Sequence, residues 1–215
     1  MIFKKKIDTF KDEKNCISVE ENFFNLKFFT NIIKDIEYFV FFGTLLGLVR
    51  EKSLIKNDDD IDFYVNIKER NKLIKILKDN SINVDLELKV NKNKSFLQVK
   101  REINSKSAIV DFYFFEDDLD EHHIIEKWNF EGGTHIPSKH LRIPKIFTHP
   151  IQEKEINSIK INFPAEPIYL CEFLYGKNWR VKMDKDTEYK IKVLNGKPIL
   201  FNVKKTFFGI KHYIE

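Results

Sequence analysis

The chain has 215 residues, 42% apolar and 33% charged, with a net charge of +4. That balance is globular, with room for one substantial domain or two small ones, and it excludes a disordered or fibrous chain. The weak, dispersed positive charge suits an anionic substrate and argues against nucleic acid as a partner.

The first residues, MIFKKKIDTFKDEKN, are positive but lead into no apolar segment of the signal-peptide kind. Cys16 and Cys171 are far apart and give neither a disulfide framework nor zinc spacing, so a reducing, cytoplasmic setting is expected. Ser18-Val-Glu-Glu21 is a capping-box pattern, and the spacing after it predicts a helix over about 19–35. YFVFF, 38–42, reads as a buried strand, Gly43-Thr44 as a turn, and LLGLVRE as a short helix. The uncharged run from Tyr38 to Val49 is too short for a bilayer, which needs about 20 residues.

A strand is expected at 61–65, then a helix capped by Asn66 with Glu69 three residues on. Further strands are predicted at 84–90, 95–101 and 107–115. The region 128–170 holds two glycines and five prolines and reads as irregular. LCEFLYG reads as a helix ending at Gly176, and Asn195-Gly196 marks a terminal β-hairpin. The expected fold is α/β or α+β: a mixed sheet flanked by helices, with an irregular C-terminal half and that hairpin. A single domain is expected over 1–215, its core from about 18 to 185 and an extension beyond about 186.

The acidic run Asp58 to Asp62 needs a physical reason, because like charges this close repel. Asp60 and Asp62 share one strand face, about 7 Å apart, and can reach one hard cation. Asp111 stands in the otherwise apolar AIVDFYFF, where a carboxylate is costly unless paired or metal-bound. If its strand lies beside 60–65, the three carboxylates suit Mg²⁺ or Mn²⁺. Gly43-Thr44 offers backbone amides to a phosphate, and Arg50 a bidentate clamp. Lys139, Arg142, Lys177 and Arg180 are second-rank phosphate or sugar contacts, and Trp179 can stack on a ligand or fill the core. Asp58 and Asp59 are left out of the metal set. The six histidines show no metal spacing, and His122-His123 reads as an exposed turn.

GTLLGLVREKSLIKNDDDID, 43–62, resembles the signature of the LicD/fukutin family, and FPAEPIYLCEFLYGKNWR, 163–180, is similar to that family's closing element. The resemblance covers roughly 36–185. It implies a nucleotidyltransferase-like fold and the transfer of phosphocholine or a phosphopolyol from a CDP-activated donor to a hydroxyl of a cell-surface glycan. Carried over by position, Gly43 and Thr44 match the phosphate-binding turn, Arg50 the motif arginine, Asp60 and Asp62 the metal pair, and Asp111 a third carboxylate. The chain departs in lacking a zinc-loop cysteine cluster and in its tail after about 190. The alternatives are a nucleotidyltransferase adding NMP from an NTP, and a non-catalytic nucleotide-binding module.

Overall fold

The structure is a computed structural model that describes residues 17–58, 60–84, 96–126 and 142–182, together with the backbone of 203–206 and 209–212. Helix α1 (Val19–Ile32) begins at a complete capping box: Glu21 N–H donates to Ser18 Oγ, and Ser18 N–H donates to the Glu21 carboxylate. Each bond satisfies an amide that the helix itself cannot. Strand β1 (Tyr38–Val40) is short because the chain turns into α2 (Phe42–Arg50) immediately. Gly43 and Thr44 therefore lie in the first turn of a helix, where the sequence suggested a separate turn. The reason is local: Leu45 N–H already bonds to the Phe41 carbonyl, closing a helical turn around the pair.

Strand β2 (Asp60–Asn66) follows, and the Asn66 side chain caps a 3-10 turn that leads into α3 (Arg70–Asp79). Strands β3 (Phe96–Ile103) and β4 (Lys106–Asp117) form a hairpin, followed by β5 (His123–Glu126) and β6 (Arg142–Pro144). These make one mixed sheet in the order β1-β2-β4-β5-β6, with β3 also paired to β4. β2 and β4 run parallel and the other pairs are antiparallel. β4 is long enough to serve two neighbours along one edge: residues 106–113 pair with β3, and 115–117 with β5.

The region expected to be irregular contains more order than its prolines suggest. A short helix α4 (Lys145–Thr148) is followed by strands β7 (Gln152–Ile156) and β8 (Ile159–Phe163), which pair antiparallel. Their turn, Asn157-Ser158, has φ of 51° and 59°. Two consecutive positive-φ residues match the twist of a hairpin, but Ser at the second position carries a weaker sequence signal than Gly. Helix α5 (Pro167–Tyr175) has Pro at its start and ends at Gly176, whose φ of 79° favours a residue without Cβ. Beyond it, β9 (Val203–Thr206) and β10 (Gly209–His212) pair antiparallel. The hairpin expected at Asn195-Gly196 and most of the strand expected at 84–90 lie outside the described residues.

The phenylalanines fill the core. Phe63 and Phe112, opposite each other on β2 and β4, stack at 5.5 Å, and Phe29 of α1 meets Phe112 edge-on at 6.0 Å. This face of the sheet is closed by α1. On the other face Tyr64 stacks on Phe41 at 4.1 Å and packs against Phe39 and Phe115. Each face thus has its own aromatic layer, and Asp60 and Asp62 of β2 lie beside Asp111 of β4 on the Tyr64 face.

Candidate metal and phosphate site

The parallel register sets Asp62 directly beside Asp111, with Asp60 two residues earlier on the same face of β2. Their carboxylate oxygens lie within 4.8 Å of one another. Asp62 and Asp111 are buried and Asp60 is half-buried. The condition set by the sequence, adjacency of the two strands, is therefore met.

The start of α2 points into the same place. Asp62 N–H donates to Thr44 Oγ1 at 2.9 Å, and Thr44 N–H lies 3.4 Å from Asp62 Oδ2. One threonine so ties the helix start to the strand and orients the central carboxylate. Gly43 lets Asp58 pack close: a Cβ there would lie 2.6 Å from Asp58 Oδ2 and 3.4 Å from Asp62 Oδ2, so the Asp58 side chain would have to move. The residue before it, Phe42, has a φ of 35°, a left-handed conformation that is costly for a bulky side chain. Its ring packs on Phe41 at 4.4 Å and edge-on to Tyr113 at 4.9 Å, contacts that hold the helix start in place.

Burial drives the Asp62 carboxyl well above the usual carboxylate range, and the charges of Asp60, Asp111 and Asp58 push it the same way. The Thr44 amide opposes them. Such a group is short of positive charge, and three oxygen donors at this spacing fit a hard divalent cation held by carboxylates, phosphate and water. Burial, followed by the charges of Asp62 and Asp111, also raises the Tyr113 phenol, so it stays protonated.

Three further neighbours line the site: Asp58, which the sequence reading set aside from the metal set, and Gln98 and Tyr113, to which it gave no site role. Asp58 packs over Gly43 and adds negative charge; its carbonyl accepts a bond from Asn22 Nδ2 at 2.9 Å, which ties the acidic loop to α1. Gln98, opposite Asp111 on β3, donates to Asp111 Oδ1 at 2.8 Å. The Tyr113 hydroxyl lies 3.5 Å from Asp111 Oδ2. Strand alternation could have flagged Tyr113, two residues after Asp111; Gln98 required knowledge of the hairpin register.

The basic candidates are placed elsewhere. Arg50 is in the last turn of α2, about 9 Å along the axis from Thr44 by helical rise. It bonds to Glu51 at 2.6 Å, and Glu51 also bonds to Lys182. Arg50 and Arg180 both bear electrostatically on the Cys171 thiol of α5, which burial pushes up to about 12. Arg142 spans Asp118 and Asp120, closing the turn before β5, where His123 also pairs with Asp120. Lys177 is exposed in the turn after α5. Trp179 is 3% exposed, with the Arg180 guanidinium 4.2 Å from its ring centre, so its ring fills the core and is not open for stacking on a sugar or base. Lys139, His135 and His140 lie outside the described residues.

A comparison with curated proteins finds no match. Among solved structures, the crystal structure of a lincosamide antibiotic adenylyltransferase with lincomycin bound is similar at 18% identity and a TM-score of 0.47, covering 83% of this chain and 96% of that one. Residues 35–166 match the family described as LicD/FKTN/FKRP, nucleotidyltransferase domain. The matched segment includes the whole of the 43–62 motif and Asp111, and stops just before α5. The chain belongs to the LicD/FKTN/FKRP nucleotidyltransferase-domain family.

Proposed function

We propose that this protein is a metal-dependent transferase that moves a phosphocholine or phosphopolyol group, such as ribitol phosphate or glycerol phosphate, from a CDP-activated donor to a hydroxyl of a cell-surface glycan. Family membership supports the broader statement, an enzyme transferring phosphate-containing groups. The observation that supports the metal dependence is the convergence of Asp60, Asp62 and Asp111 at the start of α2, and the donor and acceptor follow from the family resemblance. Among the described residues no helix is long and apolar enough to cross a membrane. A cytoplasmic setting is part of the proposal and rests on the cysteine usage.

Asp60, Asp62 and Asp111 would hold Mg²⁺ or Mn²⁺, which when bound supplies charge neutralisation for the donor diphosphate and the departing CMP. The first turn of α2 would present its positive end to phosphate, with Gly43 admitting the Asp58 carboxylate beside it. The acceptor oxygen forms a bond to the donor's transferred phosphorus as the bond from that phosphorus to the CMP oxygen breaks. The acceptor's proton passes to a carboxylate, a role proposed for Asp111. Arg50, Lys139, Arg142, Lys177 and Arg180 remain candidates for contacts to larger parts of the substrates.

The test is release of CMP from CDP-ribitol, CDP-glycerol or CDP-choline with Mg²⁺ and glycan acceptors, measured beside pyrophosphate release from NTPs. CMP release that disappears in folded Asp60→Asn and Asp62→Asn proteins is the expected result. Pyrophosphate release would instead identify a nucleotidyltransferase, and tight donor binding without turnover would identify a binding module.

A further inference from the structure

We infer that Gln98 is a positioning residue for the cation site, acting through Asp111; the inference rests on the metal reading of the three carboxylates. Gln98 lies opposite Asp111 in the β3–β4 hairpin, and its Nε2 donates to Asp111 Oδ1 at 2.8 Å. A carboxylate accepts only, so the amide nitrogen is the end that must face it. The bond fixes the rotation of the carboxylate about its Cβ–Cγ bond. That rotation decides whether an Asp111 oxygen stays within the 4.8 Å spread of the three ligand atoms.

The residue type suits the task. A neutral amide orients the carboxylate without adding a fourth negative charge and without the ammonium or guanidinium that would compete with a cation. The Tyr113 hydroxyl lies 3.5 Å from the other oxygen, and its ring is held between Phe42 at 4.9 Å and Phe96 at 5.1 Å. The Gln98 bond is short and made to an Asp111 oxygen directly. It stands on a strand that pairs with β4 alone among the described strands, so the hairpin, which lies apart from the acidic loop, contributes to metal affinity.

Partners of this kind, which orient a metal ligand without touching the metal, change affinity by about 10- to 100-fold when removed. The experiment is a Mn²⁺ titration followed by electron paramagnetic resonance on the full chain, comparing wild type, Gln98→Met, Asp111→Asn and the double variant. Gln98→Met keeps the length and removes the donor; Gln98→Ala is the second variant. Gln98 is half-buried, so both are expected to fold, with metal-free unfolding midpoints within about 2 °C of wild type.

The expected result is a Mn²⁺ dissociation constant raised about tenfold by Gln98→Met, with no further change when it is added to Asp111→Asn. An unchanged constant in Gln98→Met, or the same loss in the Asp111→Asn background, overturns the positioning role while leaving the cation site intact. Wild-type protein that binds no Mn²⁺ overturns the metal reading itself, and this inference with it.

Discussion

Asp62 concentrates the conflict between stability and chemistry. Its folded-state affinity for a proton exceeds that of the unfolded chain, because burial and three neighbouring carboxylates disfavour its charge. Below the ordinary Asp value of 3.8 both states hold the proton, and no difference arises. As pH rises above that value the unfolded chain releases its proton first, so the metal-free protein loses stability up to the raised value. Urea denaturation of chelator-treated protein should therefore give lower stability at pH 7 than at pH 5. Asp62→Asn should raise metal-free stability at pH 7 by about 1 kcal/mol while abolishing turnover. Gly43→Ala tests the same spot by volume. The added methyl must displace Asp58 Oδ2 from 2.6 Å, so activity should fall at least tenfold with a much smaller loss of stability.

At the scale of elements, α1 acts as a brace. Glu21 closes the capping box and also accepts bonds from Lys106 at 3.0 Å and Asn104 at 3.1 Å, joining the helix start to the β3–β4 hairpin. Those partners, led by the Ser18 amide, lower the Glu21 carboxyl to about 2. Its contribution is in place above the ordinary value of 4.5 and is lost as pH falls toward 2. Ser18→Ala should cost about 1 kcal/mol in urea denaturation at neutral pH. Much of this level could be read from residues alone: the Ser18–Glu21 box, the alternation that puts Asp60 and Asp62 on one face, and the glycine after α5. What could not be read depended on partners distant in sequence. Gly43-Thr44 looks like a turn until the Phe41 carbonyl is seen to close a helical bond over it. The Asn157-Ser158 hairpin hides behind prolines on both sides. Arg50 looks like a phosphate clamp from spacing to the motif, but its nearest carboxylate is the next residue, Glu51.

At the scale of the whole molecule, the site sits on one face of the sheet, in line with Tyr64 and Tyr113, and the strands that carry it are packed on both faces. Trp179 belongs to that packing: it lies beyond the family match yet is buried in the main core cluster. Trp179→Ala should therefore cost about 3–5 kcal/mol in thermal or chemical denaturation. If the ring instead serves as an open stacking platform, substrate affinity will fall with stability nearly unchanged. Saturating Mg²⁺ or Mn²⁺ should raise the melting temperature of wild type and leave that of Asp60→Asn unmoved, because only the native state gathers the three carboxylates.

The parallel pairing of β2 with β4 has a consequence for how the protein is made. Parallel neighbours cannot be joined by a tight turn, so α3, β3 and the chain between them must be traversed before Asp111 can reach Asp62. Contacts closing so large a loop form slowly. A nascent chain released after β2 would expose an acidic loop still lacking Asp111, so the three carboxylates meet only once the sheet is finished.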